Sequence, residues 1–507
     1  MPVWLAPLHL NILPPPTKLE ANEFSFVENS GNTNPYKTLT STSSSELENL
    51  WVTGSGAGSK ATGYWVDSDG QEATFTNLGN IYVTAVDGAN SWSQRAIGVA
   101  DGATAINKGT IVVQNAYGMT VGSDKNGSTP ATIINEGSIA VYKTGAAIEL
   151  GGVKGSTAEN KGQIYVGKPS ASDGAFTIGV LVKDHKEGTF TNSGLIDAKE
   201  ATAAIAVQQG TSTDKNTILL SSGSQTLGKI LIDAPNTTLN MEDGAVYEGG
   251  IFVSKNATKT AISGTQKAEG LTASYGAALF LAPADSSASI KNALYSGNKA
   301  SGATVAMGGA VYSNGSPIYF ENTVFDGNSA VITSPAKDTH AATGGAIQIK
   351  GSPDTVFKDV VFMNNSAAVT GAADKGAYAF GGAINVDYST GSTTGVKRDS
   401  DVKFIITKDL AYTGNTVSSD GTGKPDTYGY THSHTQAGGF LFLDRGSVAT
   451  FEVQGAATLT IGEKGTTGDT DSIASSMPNN TTANGGQHAL LNKTGTGTLL
   501  VNSDLNK

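Results

Sequence analysis

No cysteine occurs in the chain, and arginine is confined to Arg95, Arg398 and Arg445. Without cysteine there can be neither a disulfide framework nor a thiolate metal centre. A long chain that avoids cysteine also fits export through an oxidising compartment. Charged residues make up only 15% of the sequence, and the net charge is −11. So little arginine on an acidic chain excludes nucleic acid as a partner. No run of about eighteen apolar residues exists to cross a membrane as a helix. The opening stretch MPVWLAPLHLNILPPP is apolar, but it lacks a basic region and breaks into prolines at 14–16. It does not read as an intact signal peptide, and a clipped or misassigned start fits it better.

Strong helix formers are sparse as well. The 64 glycines stand among many Thr, Ser, Asn, Ala and Val residues, a composition that excludes a helical protein. The apolar positions are regularly spaced, which excludes disorder.

What is present is repetition. In the first half a unit recurs as FTNLGNIYV from Phe75, AINKGTIVV from Ala105, IINEGSIAV from Ile133, AENKGQIYV from Ala158 and FTNSGLIDA from Phe190. Its shared core is Asn-x-Gly-x-Ile, and the asparagines fall at 77, 107, 135, 160 and 192. The second half carries KNALYSGN, ENTVFDGN and KDVVFMNN ending at Asn298, Asn328 and Asn365, with YTGN at 412 as a looser copy. These alternate with GGAV at 308, GGAI at 344 and 381, and GGFL at 438.

Each unit offers two or three strands of four to six residues separated by Gly/Asn/Ser turns. In GGAIQIK, Ile347 and Ile349 share one face, and Ile384 and Val386 repeat this in GGAINVD. One turn cannot bury such a face, whereas stacked turns can, with like residue above like. The expected fold is all-β, a solenoid of parallel strands. Asn and Gly mark its corners, Asn amides ladder along its axis, and Phe, Ile and Val fill a tubular core. About sixteen turns are expected between residue 51 and residue 507, or about 75 Å at ~4.8 Å per turn.

Phe-x-x-Asn alternating with Gly-Gly-Ala-(Ile/Val/Leu) over residues 271–445 resembles the repeat of chlamydial-type polymorphic outer-membrane proteins, which are autotransporter-like surface proteins. The tail KTGTGTLLV (Lys493–Val501) is similar to a strand repeat of autotransporter passengers near their membrane anchor. The resemblance implies a right-handed, pectin-lyase-like parallel β-helix displayed at the outer membrane or cell surface of a Gram-negative bacterium, or released from it by type V secretion. It implies an adhesin or structural surface protein that meets a host-cell surface or an extracellular glycan or protein ligand. It also implies a C-terminal translocator β-barrel in the full-length protein. No such barrel follows Lys507, so the chain reads as a passenger fragment or its anchor lies elsewhere. The expected organisation is an irregular or capping segment at 1–50, Asn-x-Gly-x-Ile coils at 51–270, Phe-x-x-Asn coils at 271–450 and final rungs at 451–507.

Parallel β-helices also carry polysaccharide lyases and hydrolases, so an enzyme of that class is the alternative. The sequence has no Asp-Asp pair, no Asn-Thr-Asp, no Gly-x-Ser-x-Gly and no Gly-Asp-Ser-Gly. GSQTLGKI at 223 approaches a phosphate loop, but Ile230 replaces the required Ser/Thr and a strand follows. The expectation is a protein without catalytic, metal or cofactor residues. One stretch reads as a recognition loop. The step from GGAI at 381 to GGFL at 438 is 57 residues, against 36 and 37 before it. Its insertion includes Asp426, Tyr428, Tyr430, His432 and His434. All four tryptophans fall within the first 92 residues, where bulky groups are expected to cap the open end of the tube.

Overall fold

A computed structural model describes the chain between Ser25 and Leu505. It leaves out 30–36, 40–43, 47, 55–61, 68–72, 86–93, 122–128, 172–173, 184–186, 209–214, 284, 334, 336–339, 373–376, 388, 391–396, 399, 422–434, 445, 466–467, 476–488 and 504. Three long parallel sheets run its length. Sheet I has 13 strands, from Ser25–Asn29 to Val361–Met363. Sheet II has 15, from Lys37–Leu39 to Ile473–Ser475, and sheet III has 15, from Ser44–Glu46 to Leu490–Thr494. Each strand pairs with its counterpart one turn away, so the chain winds through sheets III, I and II in succession. The protein is a parallel β-helix. Among the described residues no helix occurs, and the one antiparallel pair is Ser389–Thr390 with Lys397–Arg398.

The register is set by the repeats. Ile81, Ile111, Ile139, Ile164 and Ile196, each the isoleucine of an Asn-x-Gly-x-Ile unit, stack as direct partners inside the tube. Slippage by one residue would turn every such side chain outward, which is why the period is kept so strictly. In the second half the column is aromatic. Tyr295 and Phe325 stack with centroids 4.7 Å apart, and Phe320, Phe357, Phe404 and Phe451 form a second fully buried file. Each buried ring contributes about 1.5–3 kcal/mol of apolar transfer.

Two asparagine ladders hold the corners. Asn77, Asn107, Asn135, Asn160 and Asn192 each pass a 2.8 Å amide hydrogen bond to the next, and Asn192 ends the series on the Thr226 hydroxyl. This ladder lines the corner from sheet III to sheet I. The second runs Asn298, Asn328, Asn365, Asn415 and ends on the Asp471 carboxylate. Here the other amide hydrogen donates to a main-chain carbonyl, Tyr295 O for Asn328 and Phe325 O for Asn365. These fully buried amides are satisfied on both sides.

The residues between Phe-x-x-Asn and Gly-Gly-Ala are more than a connection. They form a lateral fin of two further sheets. One contains Thr272–Ala273, Lys299–Gly302, Ser329–Thr333, Ser366–Thr370 and Thr416–Ser419. The other contains Val305–Met307, His340–Thr343, Ala377–Phe380 and Gln436–Ala437. Their shared core is mostly alanine (Ala300, Ala306, Ala330, Ala342, Ala367, Ala379) with Ile332 and Val369. The second fin sheet turns Tyr378 and Phe380 back onto sheet II, where Phe380 stacks on Phe442 at 4.4 Å. The outer face of sheet II is therefore covered here. Gln348 and Asn385, which alternate with the core isoleucines, are buried and bond to each other at 2.9 Å.

The paired glycines close the fin onto sheet II. Gly308, Gly344, Gly381 and Gly438 have φ between 61° and 73°, which favours glycine. The second glycine of each pair lies under the next main chain. A Cβ on Gly345 would sit 2.0 Å from Gly382 O.

Within residues 25–50, strands Ser25–Asn29, Lys37–Leu39 and Ser44–Glu46 pair with the following turn. One expectation is corrected. Trp51 and Trp65 do not plug the tube. They alternate with buried Leu50, Val52, Tyr64 and Val66 and therefore face outward, Trp65 beneath the Arg95 guanidinium.

Candidate functional site

The interior is filled by packed columns, so chemistry is left to the outer surface. The depth of that surface is set by the corners between sheets I and II. Seven residues separate Pro169 from Thr177, and nine separate Glu269 from Leu279. Between these bulky corners, only two residues join Leu227 to Ile230 and two join Glu248 to Ile251. The short corners supply Gly228, Lys229, Gly249 and Gly250 to one of two depressions that form a groove along this side of the helix.

Two adjoining depressions make up this groove, and Lys199 lines both. The first, of about 280 Å³, is bounded by Tyr142, Tyr165, Val166, Gly167, Asp197 and Glu200. The second, of about 270 Å³, has a floor of Gly228, Gly249 and Gly250. Its walls are Lys229, Glu248, Lys267, Glu269 and Leu271. The glycine floor is required by the stacking: a Cβ on Gly249 would fall 2.0 Å from Gly228 O.

Tyr142 and Tyr165 are outward residues of consecutive sheet I strands and are half-buried. The Tyr165 hydroxyl donates to Gln163 Oε1 at 3.0 Å. Burial pushes both phenols above their ordinary range, aided at Tyr165 by the Asp197 carboxylate, so both stay neutral near pH 7. Lys267 lies 2.9 Å from Glu269 and 3.6 Å from Glu248. The hydrogen bond to Glu269 is the main cause that holds its ammonium above the usual lysine range, against the opposing effect of burial. The two carboxylates are thus engaged by one ammonium. Lys199, by contrast, is exposed at the boundary of the two depressions.

The recognition loop read from the sequence, with Asp426, Tyr428, Tyr430, His432 and His434, lies outside the described residues. In the chain it follows Thr416–Ser419 of one fin sheet and precedes Gln436–Ala437 of the other. Arg398 falls in the short antiparallel hairpin. The GSQTLGKI stretch forms strand Gln225–Leu227, the Gly228 corner and strand Ile230–Ile232, which gives no helix N-terminus for a phosphate. Its Lys229 lines the groove instead. Among the described residues no group of three His, Cys, Asp or Glu side chains is placed to hold a metal ion.

Sequence reasoning missed the groove because its residues belong to no single repeat. It also missed an outward threonine column on sheet III, Thr74, Thr104, Thr132, Thr157, Thr189, Thr217 and Thr238. That column was legible, since a threonine immediately precedes Phe75, Ala105, Ile133, Ala158, Phe190, Ile218 and Leu239.

The fold defines the class as a parallel β-helix. Residues 20–186, about a third of the chain, match the family model described as the BigA third pectate lyase-like domain. The matched part contains Tyr142 and Tyr165 but ends before Lys199. No curated protein and no solved structure matches the chain.

Proposed function

We propose that this protein is the surface-exposed or secreted passenger of a bacterial autotransporter and acts as a non-catalytic adhesin. One observation carries this reading. The tube is closed to ligands by fully buried side chains along its length, while its outside bears a lateral fin and an axial groove. Fifteen stacked strands at ~4.8 Å give a shaft of about 67 Å that carries both features on its side. The alternation of Phe-x-x-Asn with Gly-Gly-Ala in the fin-bearing turns, and the Lys493–Val501 tail, support display at a Gram-negative outer membrane. The segment that carries Tyr428 and His432 and the groove are the two contact elements.

A second reading, a carbohydrate-active β-helical enzyme, draws support from the matched family's description and from Glu248 and Glu269 in the groove. Lys267 between them favours recognition over general acid–base work. Fluorescently labelled protein incubated with cultured epithelial cells tests the adhesin: saturable attachment is expected. Release of reducing ends or of unsaturated uronates from a polysaccharide panel would instead establish the enzyme.

A further inference from the structure

We infer that the groove from Tyr142 to Leu271 binds a linear, uncharged polysaccharide laid along the helix axis. This rests on the adhesin reading and gives it a ligand class. Four features of the groove support it.

The first is shape. The groove crosses six sheet I strands, from Ser138–Lys143 to Lys267–Glu269, which is about 24 Å at ~4.8 Å per step. Its two depressions are both open to solvent and share Lys199. A ligand that fits is long and narrow, with several similar units in file.

The second is charge. Asp197, Glu200, Glu248 and Glu269 face Lys199, Lys229 and Lys267. Signs of both kinds alternate within one cleft, so its field attracts neither a polyanion nor a polycation strongly. Carboxylates and ammonium groups at one level do suit hydroxyl groups, which donate to the former and accept from the latter.

The third is the pair of half-buried tyrosines at one end. A Cβ on Gly167 would lie 3.4 Å from Tyr142 Cδ1, so the ring borders a residue with no side chain to cover it. A pyranose presents C–H groups on its faces and hydroxyls at its rim, which matches an apolar ring bordered by polar groups.

The fourth disfavours a peptide. An extended peptide gains main-chain hydrogen bonds by adding to an exposed strand edge. Along the groove every sheet I strand is already paired on both sides, from Ser138–Lys143 to Lys267–Glu269. Along the groove, among the described residues, these strands offer no edge.

The test uses the full chain and calorimetric titration with neutral β-1,4-linked hexasaccharides of glucose, xylose and mannose. An oligogalacturonate and a heparin-derived oligosaccharide are titrated beside them. Binding of at least one neutral chain is expected, with Tyr142→Ala/Tyr165→Ala weakening it by about tenfold or more, roughly 1.4 kcal/mol. A second variant, Lys199→Ala/Glu200→Ala, changes only exposed side chains and is expected to weaken it also. Unchanged circular dichroism shows that each variant is folded. If only the charged oligosaccharides bind, or if both variants bind neutral chains as the parent does, the inference is overturned. Cell attachment with no oligosaccharide binding would overturn it while leaving the adhesin reading intact. Oligosaccharide binding without cell attachment would support the groove and overturn the adhesin.

Discussion

Phe325 and Phe362 lie face to face, with ring centroids 5.2 Å apart and 7° between their planes. They are direct register partners on neighbouring turns. The contact is repeated by Tyr295 above and continued at right angles by Tyr412 below. Phe362→Ala is expected to cost about 3–5 kcal/mol, because it removes a fully buried ring from the middle of a stack that cannot collapse. Urea denaturation checks the size, and hydrogen exchange should show the loosening concentrated in the adjoining turns, since a solenoid is coupled through its neighbours. A loss below 1 kcal/mol would mean the file is not under packing constraint.

Asn328 accepts from the Asn298 amide and main-chain N–H and donates to Asn365 Oδ1 and Tyr295 O. Asn328→Asp keeps the acceptor and loses the donor, so a buried carboxylate faces two acceptor oxygens. Its protonated form can donate to one of them, which raises its folded-state pKa above the unfolded value. Stability contributed by such a group is present below the unfolded pKa and is lost as pH rises through the folded one. The variant should therefore melt lower than the parent at pH 7 and approach it in mild acid. A deficit independent of pH would refute the ladder.

Asp471 occupies the place where that ladder accepts without donating onward. Its carboxylate receives Gly414 N, Asn415 N and the Asn415 amide, at 2.8, 2.8 and 2.9 Å. Burial nonetheless outweighs these bonds and holds its pKa above the ordinary aspartate range. With the folded pKa raised, the group's contribution to stability falls as pH rises through that pKa. Asp471→Asn should flatten this dependence of melting temperature on pH, while its NH2, set against the Gly414 N–H, costs a hydrogen bond at every pH. Equal slopes of melting temperature against pH in both proteins would contradict this.

Tyr412 holds the position that Phe325 and Phe362 hold in earlier turns. Its hydroxyl is fully buried with no hydrogen-bond partner among the described residues, and burial pushes its pKa far up. Tyr412→Phe removes a desolvated hydroxyl and keeps the ring, so stability should rise by up to about 1 kcal/mol. Chemical denaturation of the pair decides it, and a loss of stability would show the hydroxyl to be satisfied.

The tube was legible because its rules are strict. Ile347, Ile349, Ile384 and Val386 alternate at the strand period, and both asparagine series recur at fixed places beside glycine. The fin was not legible, because strands such as SAVIT and SAAVT have alanine and serine where periodicity is sought in larger side chains. Alanine suffices there because two sheets packed closely leave little room between them. The groove was hidden for another reason. Its residues come from several successive turns, and Tyr142 and Leu271 meet one surface only once the coil is wound.

The last prediction concerns residues 422–434. Residues 418–421 belong with the fin, since Ser419 lies in a strand and its N–H donates to Gln436 Oε1 at 2.7 Å. The strands on either side of 422–434 are therefore already drawn together. Removing 422–434 and joining Gly421 to Thr435 should shorten a closed loop without breaking a described contact, and shortening a loop lowers its closure entropy. The melting temperature should be unchanged or slightly raised. Cell attachment should weaken, while oligosaccharide binding in the groove, carried by other turns, should persist. Unfolding of the deletion would show that the segment belongs to the body of the helix. Undiminished attachment would remove Tyr428, Tyr430 and His432 from the contact and leave the groove as its site.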